Sequence, residues 1–127
     1  MSVIGIGTDI VKVSRIQKSL KKFGENFSER ILHKNELQVF KQRKTSTHYL
    51  AKRFAAKEAL AKALGTGIAK GISFEEIEVI NNDDGKPELI LHGKALEIAD
   101  QLGVESIFIS LSDEKKYAIA YVIVEGK

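Results

Sequence analysis

The sequence predicts an α+β protein in which a mainly antiparallel sheet is packed by one long helix and several shorter helices. Three observations carry this prediction. β-type runs lie near both ends of the chain, one long helical run lies between them, and turn-forming residues join neighbouring β-type runs into hairpins. The 127 residues are 43% hydrophobic and 29% charged and show no linker, repeat or low-complexity segment, so we predict a single domain over residues 1–127.

The first strand is predicted over residues 2–11. Bulky Ile4, Ile6 and Ile10 alternate with small residues and with Asp9, the one charge in this run. The glycines at positions 5 and 7 indicate a place where another backbone or a ligand comes close to the strand.

Three helices are expected next. Ile16, Leu20 and Phe23 recur at i, i+4 and i+7, which predicts a helix over 14–23 with these side chains inward, ended by Gly24. Two shorter helical segments follow, at about 27–32 and 36–42.

The longest helix is predicted over residues 46–64. The polar run at 44–47 offers N-cap residues, and the glycines that follow residue 64 provide a stop. Leu50, Phe54 and Ala61 mark the stripe of this helix that is expected to face inward.

The last third of the chain is predicted to form two hairpins separated by a helix. The run Asn-Asp-Asp-Gly-Lys-Pro at 82–87 is a strong turn signal between strands at 74–81 and 88–92. Strands at 106–112 and 117–124 form the second hairpin. The helix between the hairpins spans 93–102, and its side chains expected inward are Ala95, Leu96, Ala99 and Leu102.

The residue inventory limits the kind of site. The chain has no cysteine, which excludes disulfides and thiolate metal sites. Its histidines, His33, His48 and His92, are scattered, so no zinc site is expected and a metal would be a hard cation held by carboxylates. No basic segment precedes the first apolar run, and no stretch approaches the ~20 apolar residues of a membrane span. We therefore expect a cytoplasmic protein with no membrane partner.

The net charge of +3 hides an uneven distribution of charged residues. From Lys12 to Lys70 there are 15 Lys/Arg against four acids, whereas residues 71–127 hold five Lys/Arg against 12 acids. Such asymmetry favours an anionic partner for the basic part of the chain. Charge alone leaves open whether that partner is a nucleic acid, a phosphate cofactor or an acidic protein.

Two carboxylates fall in apolar surroundings. Glu58 lies on or at the edge of the inward stripe of the long helix, and Asp9 stands in the first strand. A carboxylate is costly to bury unless it is paired or bound to a metal, and two of them with phosphate oxygens suit Mg²⁺. Arg53, Lys57 and Lys62 lie within five residues of Glu58 and would neutralise phosphates, a layout typical of phosphoryl transfer.

A purely structural interpretation of the same residues stands beside this one. Glu58 would form a helix salt bridge with Lys62, four residues further on, and Asp9 would cap the helix that follows the first strand. The spacing leaves both interpretations open, because it does not show whether the two carboxylates meet in space.

Two motif blocks add to this pattern. The first is Gly5-Ile6-Gly7-Thr8-Asp9-Ile10, and the second is Arg53-Phe54-Ala55-Ala56-Lys57-Glu58-Ala59 followed by Lys62-Ala63-Leu64-Gly65-Thr66-Gly67. In their order and separation they resemble the holo-[acyl-carrier-protein] synthase family. Gly85-Lys86-Pro87 and the final strand beginning Tyr117-Ala118 fit as well, so the resemblance spans essentially the whole chain.

The resemblance implies the small 4′-phosphopantetheinyl transferase fold and a homotrimer with sites at subunit interfaces. It implies Mg²⁺-dependent transfer of 4′-phosphopantetheine from coenzyme A to a serine of apo-acyl carrier protein. Asp9 and Glu58 match the metal ligands, and Glu58 and Lys62 are the catalytic candidates, as general base and as phosphate-charge stabiliser. The residues expected along coenzyme A are Arg53, Lys57, Lys62, Gly65, Thr66, Lys86 and Pro87. Those expected to dock the acidic carrier protein are Arg15, Lys18, Lys21, Lys22 and Arg30.

This chain departs from the family pattern at one place. Many relatives carry a histidine in the strand before the last hairpin turn, where this chain reads Ile109-Ser110-Leu111-Ser112-Asp113-Glu114. We assign that strand no catalytic residue. Fatty-acid synthesis is the client that the resemblance implies, and a polyketide or peptide carrier is left open.

Two other function classes fit parts of the sequence. A nucleic-acid-binding module would use the basic segment, but no such motif is present and aromatic residues are not interleaved with the basic ones. A trimeric scaffold without activity would have no use for Asp9 and Glu58 in apolar settings. The prediction is therefore an enzyme with no nucleic-acid partner.

Overall fold

The structure is a computed structural model that describes residues 1–43 and 46–127. The expectation that Lys44 and Thr45 help to start the long helix lies outside these residues. The elements in chain order are β1 (Ser2–Lys12), α1 (Val13–Phe23), α2 (Glu25–Ile31), α3 (Lys34–Gln42), α4 (Thr47–Ala63), a 3₁₀ turn (Phe74–Glu76), β2 (Ile77–Asn81), β3 (Pro87–Leu91), α5 (Gly93–Leu102), β4 (Val104–Asp113) and β5 (Tyr117–Gly126). This confirms the α+β class.

The strands form two separate antiparallel sheets. The larger has the order β1-β5-β4, and the smaller contains β2 and β3. Both predicted hairpins are present, and the register of the larger sheet places Asp9 opposite Ala120. The larger sheet is the platform on which the site described below is built.

Helix α4 crosses the inner face of the larger sheet and forms the centre of the core. Leu50, Ala59 and Leu60 on the helix are fully buried, as are Val122 and Val124 on β5. Short alanine side chains allow the helix to lie close to the strands, which buries apolar area from both elements.

Gly5 and Gly7 are the points of closest approach between β1 and α4. A Cβ atom on Gly5 would lie 1.9 Å from the Ala63 carbonyl oxygen, and one on Gly7 would lie 1.9 Å from that of Ala59. The close neighbour expected at these glycines is therefore a helix backbone, and β1 carries glycine there because no side chain fits.

Three side chains that were predicted to face inward are exposed instead. Phe23 is 53% exposed, because burial along α1 is concentrated at Val13 and Ile16 near its start. Leu96 and Leu102 on α5 are also exposed, since that helix meets the core through the narrow line of Ala95 and Ala99.

The inward stripe predicted for α4 is also too narrow, because this helix is buried on nearly all sides. Elements pack around it on the sheet face and on the faces toward α1, α2 and β2. Among the residues described, no helix is long and apolar enough to cross a membrane.

Candidate active site

Asp9 and Lys62 meet where β1 passes the C-terminal half of α4. Asp9 lies two residues after Gly7 and so shares the strand face that contacts the helix. The Lys62 ammonium donates hydrogen bonds to Asp9 Oδ1 at 3.1 Å and to the Thr8 carbonyl oxygen at 3.0 Å. Asp9 Oδ2 is buried and accepts no hydrogen bond from the described part of the chain. One carboxylate oxygen is thus left without a partner inside the protein.

Glu58 faces the same place from α4 and is half-buried. Burial raises the pKa of the Glu58 carboxyl, the negative charge of Asp9 raises it further, and Lys62 lowers it in part. The structure therefore brings the two predicted carboxylates together.

Both alternative structural roles for these carboxylates are wrong. Lys62 turns toward Asp9 rather than toward Glu58. Helix α1 has Lys12 as its N-cap residue, with no side-chain capping hydrogen bond, so Asp9 does not cap it.

The two carboxylates open into a cleft of about 300 Å³ between β1, α1 and α4. Its polar wall contains Asp9, Glu58 and Arg15. The apolar wall includes Phe27 and Phe54, which the sequence analysis did not assign to a site; the i, i+4 spacing of Phe54 and Glu58 was the available signal.

The cleft fits a hard divalent cation. Its donor atoms are carboxylate oxygens, one of which is buried without a partner, and the like charges of Asp9 and Glu58 oppose each other. Mg²⁺ favours one or two carboxylates together with phosphate oxygens and water.

Arg53 lies on another side of α4, beside the β2–β3 turn. Its guanidinium stacks on the Tyr49 ring at 4.0 Å and donates to Asn81 Oδ1 at 3.0 Å, while its buried Nε has no partner among the described residues. The Asn81 side chain donates in turn to the Gly85 carbonyl oxygen, next to Lys86. Arg53 and the turn bearing Lys86 and Pro87 are thus connected through Asn81, which sequence reasoning missed because it appeared only as a strand end.

The proposed coenzyme contact at Lys57 needs correction. Its side chain is 0% exposed, and its ammonium donates to Glu36 and, at 2.7 Å, to the Ile31 carbonyl oxygen. Burial lowers the pKa of Lys57 more than the carboxylate of Glu36 raises it. Lys57 lies on an enclosed side of α4 and points into the protein, where no phosphate reaches it.

Gly65 and Thr66 follow the C-terminus of α4 and line a different cleft, of about 410 Å³, with Lys70 and Lys94. Gly65 adopts a positive φ of 82°, as expected for the glycine that stops a helix. The predicted coenzyme contacts of a single chain therefore lie in separate clefts.

The predicted docking residues share one exposed region. Arg15, Lys18, Lys21 and Lys22 are exposed on α1, and Arg30 is exposed near the end of α2. Phe23 and Phe27 lie beside Arg30 in a further cleft, so this basic surface also has an apolar part.

Known proteins resemble this chain over its full length. The sequence-family model of the 4′-phosphopantetheinyl transferase superfamily matches residues 5–122 of this chain. The holo-[acyl-carrier-protein] synthase of Vibrio atlanticus is 54% identical over 126 residues, which are 99% of this chain and 100% of that protein.

Solved structures agree with the sequence match. The holo-[acyl-carrier-protein] synthase of Neisseria meningitidis superimposes with a TM-score of 0.90 at 46% identity, covering 97% of this chain and 98% of that one. The holo-(acyl-carrier-protein) synthase of Bacillus anthracis, in complex with CoA (3′,5′-ADP), superimposes with a TM-score of 0.83 at 43% identity over 100% of both chains. These likenesses favour an enzyme over a nucleic-acid-binding module.

Proposed function

Because the chain belongs to the 4′-phosphopantetheinyl transferase superfamily, we propose that it transfers the 4′-phosphopantetheine group of coenzyme A to a serine of apo-acyl carrier protein. The products are holo-acyl carrier protein and adenosine 3′,5′-bisphosphate. The observation that carries this proposal is the meeting of Asp9 and Glu58 in one cleft, with a buried carboxylate oxygen left unpartnered.

Asp9 and Glu58 are the residues that would hold Mg²⁺. The unpartnered Asp9 Oδ2 and the raised pKa of Glu58 both indicate negative charge that this chain does not fully compensate. When bound there, the ion would supply positive charge beside the pyrophosphate of coenzyme A.

Lys62 and Glu58 have separate roles in the proposed reaction. The hydroxyl oxygen of the carrier serine bonds to the β-phosphorus, which bears pantetheine, as the bond from that phosphorus to the bridging oxygen breaks. The bridging oxygen leaves with adenosine 3′,5′-bisphosphate, and the serine proton passes to Glu58, the proposed general base. The half-exposed ammonium of Lys62 stabilises charge that builds on the phosphate oxygens.

The remaining coenzyme contacts are proposed at Arg53, Gly65, Thr66, Lys86 and Pro87. Arg53 lines a cleft with Asn81, and the exposed ammonium of Lys86 suits phosphate groups of the coenzyme. Lys57 is left out of this set because it is buried and paired with Glu36.

We propose a homotrimer whose sites lie between subunits. The face of the larger sheet that points away from α4, here called the outer sheet face, exposes Val3, Ile6, Ile10, Phe108, Ile119 and Tyr121. An apolar surface of this kind marks an interaction site. Pairing chains through it would also let clefts from neighbouring subunits share one coenzyme.

The basic surface formed by α1 and Arg30 is proposed to receive the carrier protein, because complementary charge steers an acidic partner toward it. A fatty-acid carrier in the cytoplasm is the proposed client.

Intact-mass spectrometry tests the proposed function. The protein is mixed with apo-acyl carrier protein, coenzyme A and Mg²⁺, with parallel samples that contain EDTA or the Asp9→Asn variant. We expect the carrier to gain the mass of one phosphopantetheine group only in the complete mixture. A competent apo-carrier that gains no mass would overturn the proposal for that client, and a gain that survives EDTA would overturn the metal requirement.

A further inference from the structure

Two of the three histidines, far apart in sequence, meet around a buried carboxylate. His33 precedes α3, Glu78 lies in β2 and His92 follows β3, yet one ligand atom from each lies within 4.8 Å of the others. This trio is separate from Asp9 and Glu58. No zinc site was expected because the three histidines are scattered along the sequence. In the fold, however, His33 and His92 lie close together.

Glu78 is the centre of the trio. Its side chain is 7% exposed, and its Oε1 accepts a hydrogen bond from His92 Nε2 at 2.9 Å. Its Oε2 accepts one from the Asn35 side chain at 3.0 Å and lies 3.8 Å from His33 Nδ1. The Glu78 carboxylate is thus held between the Asn35 amide and the two imidazoles.

Two imidazoles and a carboxylate are the ligands of borderline divalent ions such as Zn²⁺, Co²⁺ and Ni²⁺, rather than of Mg²⁺. The His92 side chain is 41% exposed, so an ion and a water ligand have access from solvent.

Ligation requires a small local rearrangement. The two rings now stack with centroids 4.8 Å apart, and His33 Nδ1 accepts a hydrogen bond from the Asn35 backbone N–H. The His92 Nε2–H must give up its hydrogen bond to Glu78, and His33 must give up the one it accepts from Asn35.

We propose that His33, Glu78 and His92 form a binding site for one transition-metal ion, with Zn²⁺ as the representative. The ion would join the start of α3 to the start of β2 and the end of β3. Glu78 also borders the cleft that contains Arg53 and Asn81, so the ion would brace that side of the molecule. This proposal stands on the trio alone and does not depend on the proposed function.

Calorimetric titration of the full chain with Zn²⁺, in excess Mg²⁺ to saturate carboxylate sites, tests the proposal. We expect one Zn²⁺ per chain, and at least about tenfold weaker binding in His92→Gln and in His33→Asn, which keeps a helix-capping side chain. The matched control is His48→Gln, because His48 lies outside the trio and its Nε2 lies 3.2 Å from the Lys115 carbonyl oxygen.

Imidazole NMR spectra of the unmodified protein provide a second readout that needs no variant. With only three histidines, Zn²⁺ should shift the signals of His33 and His92 and leave that of His48 unchanged. The proposal is overturned if wild-type protein binds no Zn²⁺, if binding survives His92→Gln, or if His48→Gln weakens it equally.

Discussion

Glu58 is a residue whose proposed role opposes stability. A carboxyl with a raised pKa in the folded state binds its proton more tightly there than in the unfolded chain. The stability it contributes therefore falls as pH rises from the ordinary value of 4.5 through the higher pKa of the folded state. Above that window the ionised side chain is a net cost, as expected for a carboxylate awaiting a cation.

Replacing Glu58 by glutamine should separate stability from activity. In EDTA, we expect Glu58→Gln to raise the melting temperature relative to wild type, by an amount that grows from acid to neutral pH. The same variant should lose transfer activity by about 100-fold or more. Melting curves over pH and the carrier mass assay measure the two effects. Glu88→Gln, at an exposed acid, should change neither, and an unstabilised Glu58→Gln would contradict the argument.

Lys57 provides a second prediction at this scale, for a buried ion pair. Lys57→Met removes the cation and leaves Glu36 buried without it, which should cost about 3–5 kcal/mol of unfolding free energy. Urea denaturation measures this loss. The control is Lys52→Met on the same helix, where a half-exposed pair with Asp113 should be worth about 1 kcal/mol or less. Equal losses in the two variants would contradict the buried role of Lys57.

At the scale of secondary structure, the contact between β1 and α4 determines the geometry of the candidate active site. The glycines at 5 and 7 bring the two backbones together, and Asp9 follows on the same face. The position of Asp9 relative to Glu58 therefore depends on the main chain of two elements.

Adding a single methyl group to this contact should disturb both fold and site. Gly7→Ala places a Cβ 1.9 Å from a carbonyl oxygen, and no rotamer change relieves this clash because both groups belong to the main chain or lie next to it. We therefore expect the free energy of unfolding to fall by about 3 kcal/mol and transfer activity to be lost. Thr8→Ala, on the opposite face of the same strand, should cost about 1 kcal/mol for its hydrogen bond to Ala120. Chemical denaturation measures both, and a Gly7→Ala variant as stable as Thr8→Ala would refute the close approach.

Sequence patterns predicted the positions of the helices and strands well. They predicted the burial and the long-range contacts of individual residues less well. Alternation and turn residues located the strands and hairpins, and the helical period located α1 and α4. Periodicity cannot show that a helix is surrounded, so the burial of Lys57 required the packed structure. It also cannot bring together residues far apart in the chain, which is why Asn81 and the pairing of His33 with His92 were missed.

At the scale of the whole molecule, the exposed outer sheet face should determine the assembly. Phe108→Glu places a charge on the β4 strand of this face, and we expect the proposed trimer to dissociate because burying that charge is costly. Light scattering measures the mass in solution, and transfer activity should fall with it. Ile90→Glu, an exposed apolar residue on the smaller sheet, is the matched control. An unaltered mass for Phe108→Glu would exclude this interface.

The uneven charge of the molecule should appear in carrier-protein kinetics. Lys21→Glu reverses a charge on the basic surface, and we expect kcat/KM for the carrier protein to fall by about threefold to tenfold. The effect should fade at high salt, because the screening length is about 8 Å at physiological ionic strength and shorter above it. Steady-state kinetics measure this, with Lys127→Glu as a control of equal charge change. Equal effects of the two variants would argue against docking on α1.

The burial of α4 on nearly all sides also governs how the molecule moves. A helix enclosed in this way exchanges its amide hydrogens only when the surrounding core opens. Helix α1 is exposed along one side, so its local opening should cost less free energy. Glu58 and Lys62 are thus carried by an enclosed element, and the proposed docking residues by a more exposed one. The protein would meet its partner with a compliant surface and keep the reacting groups rigid.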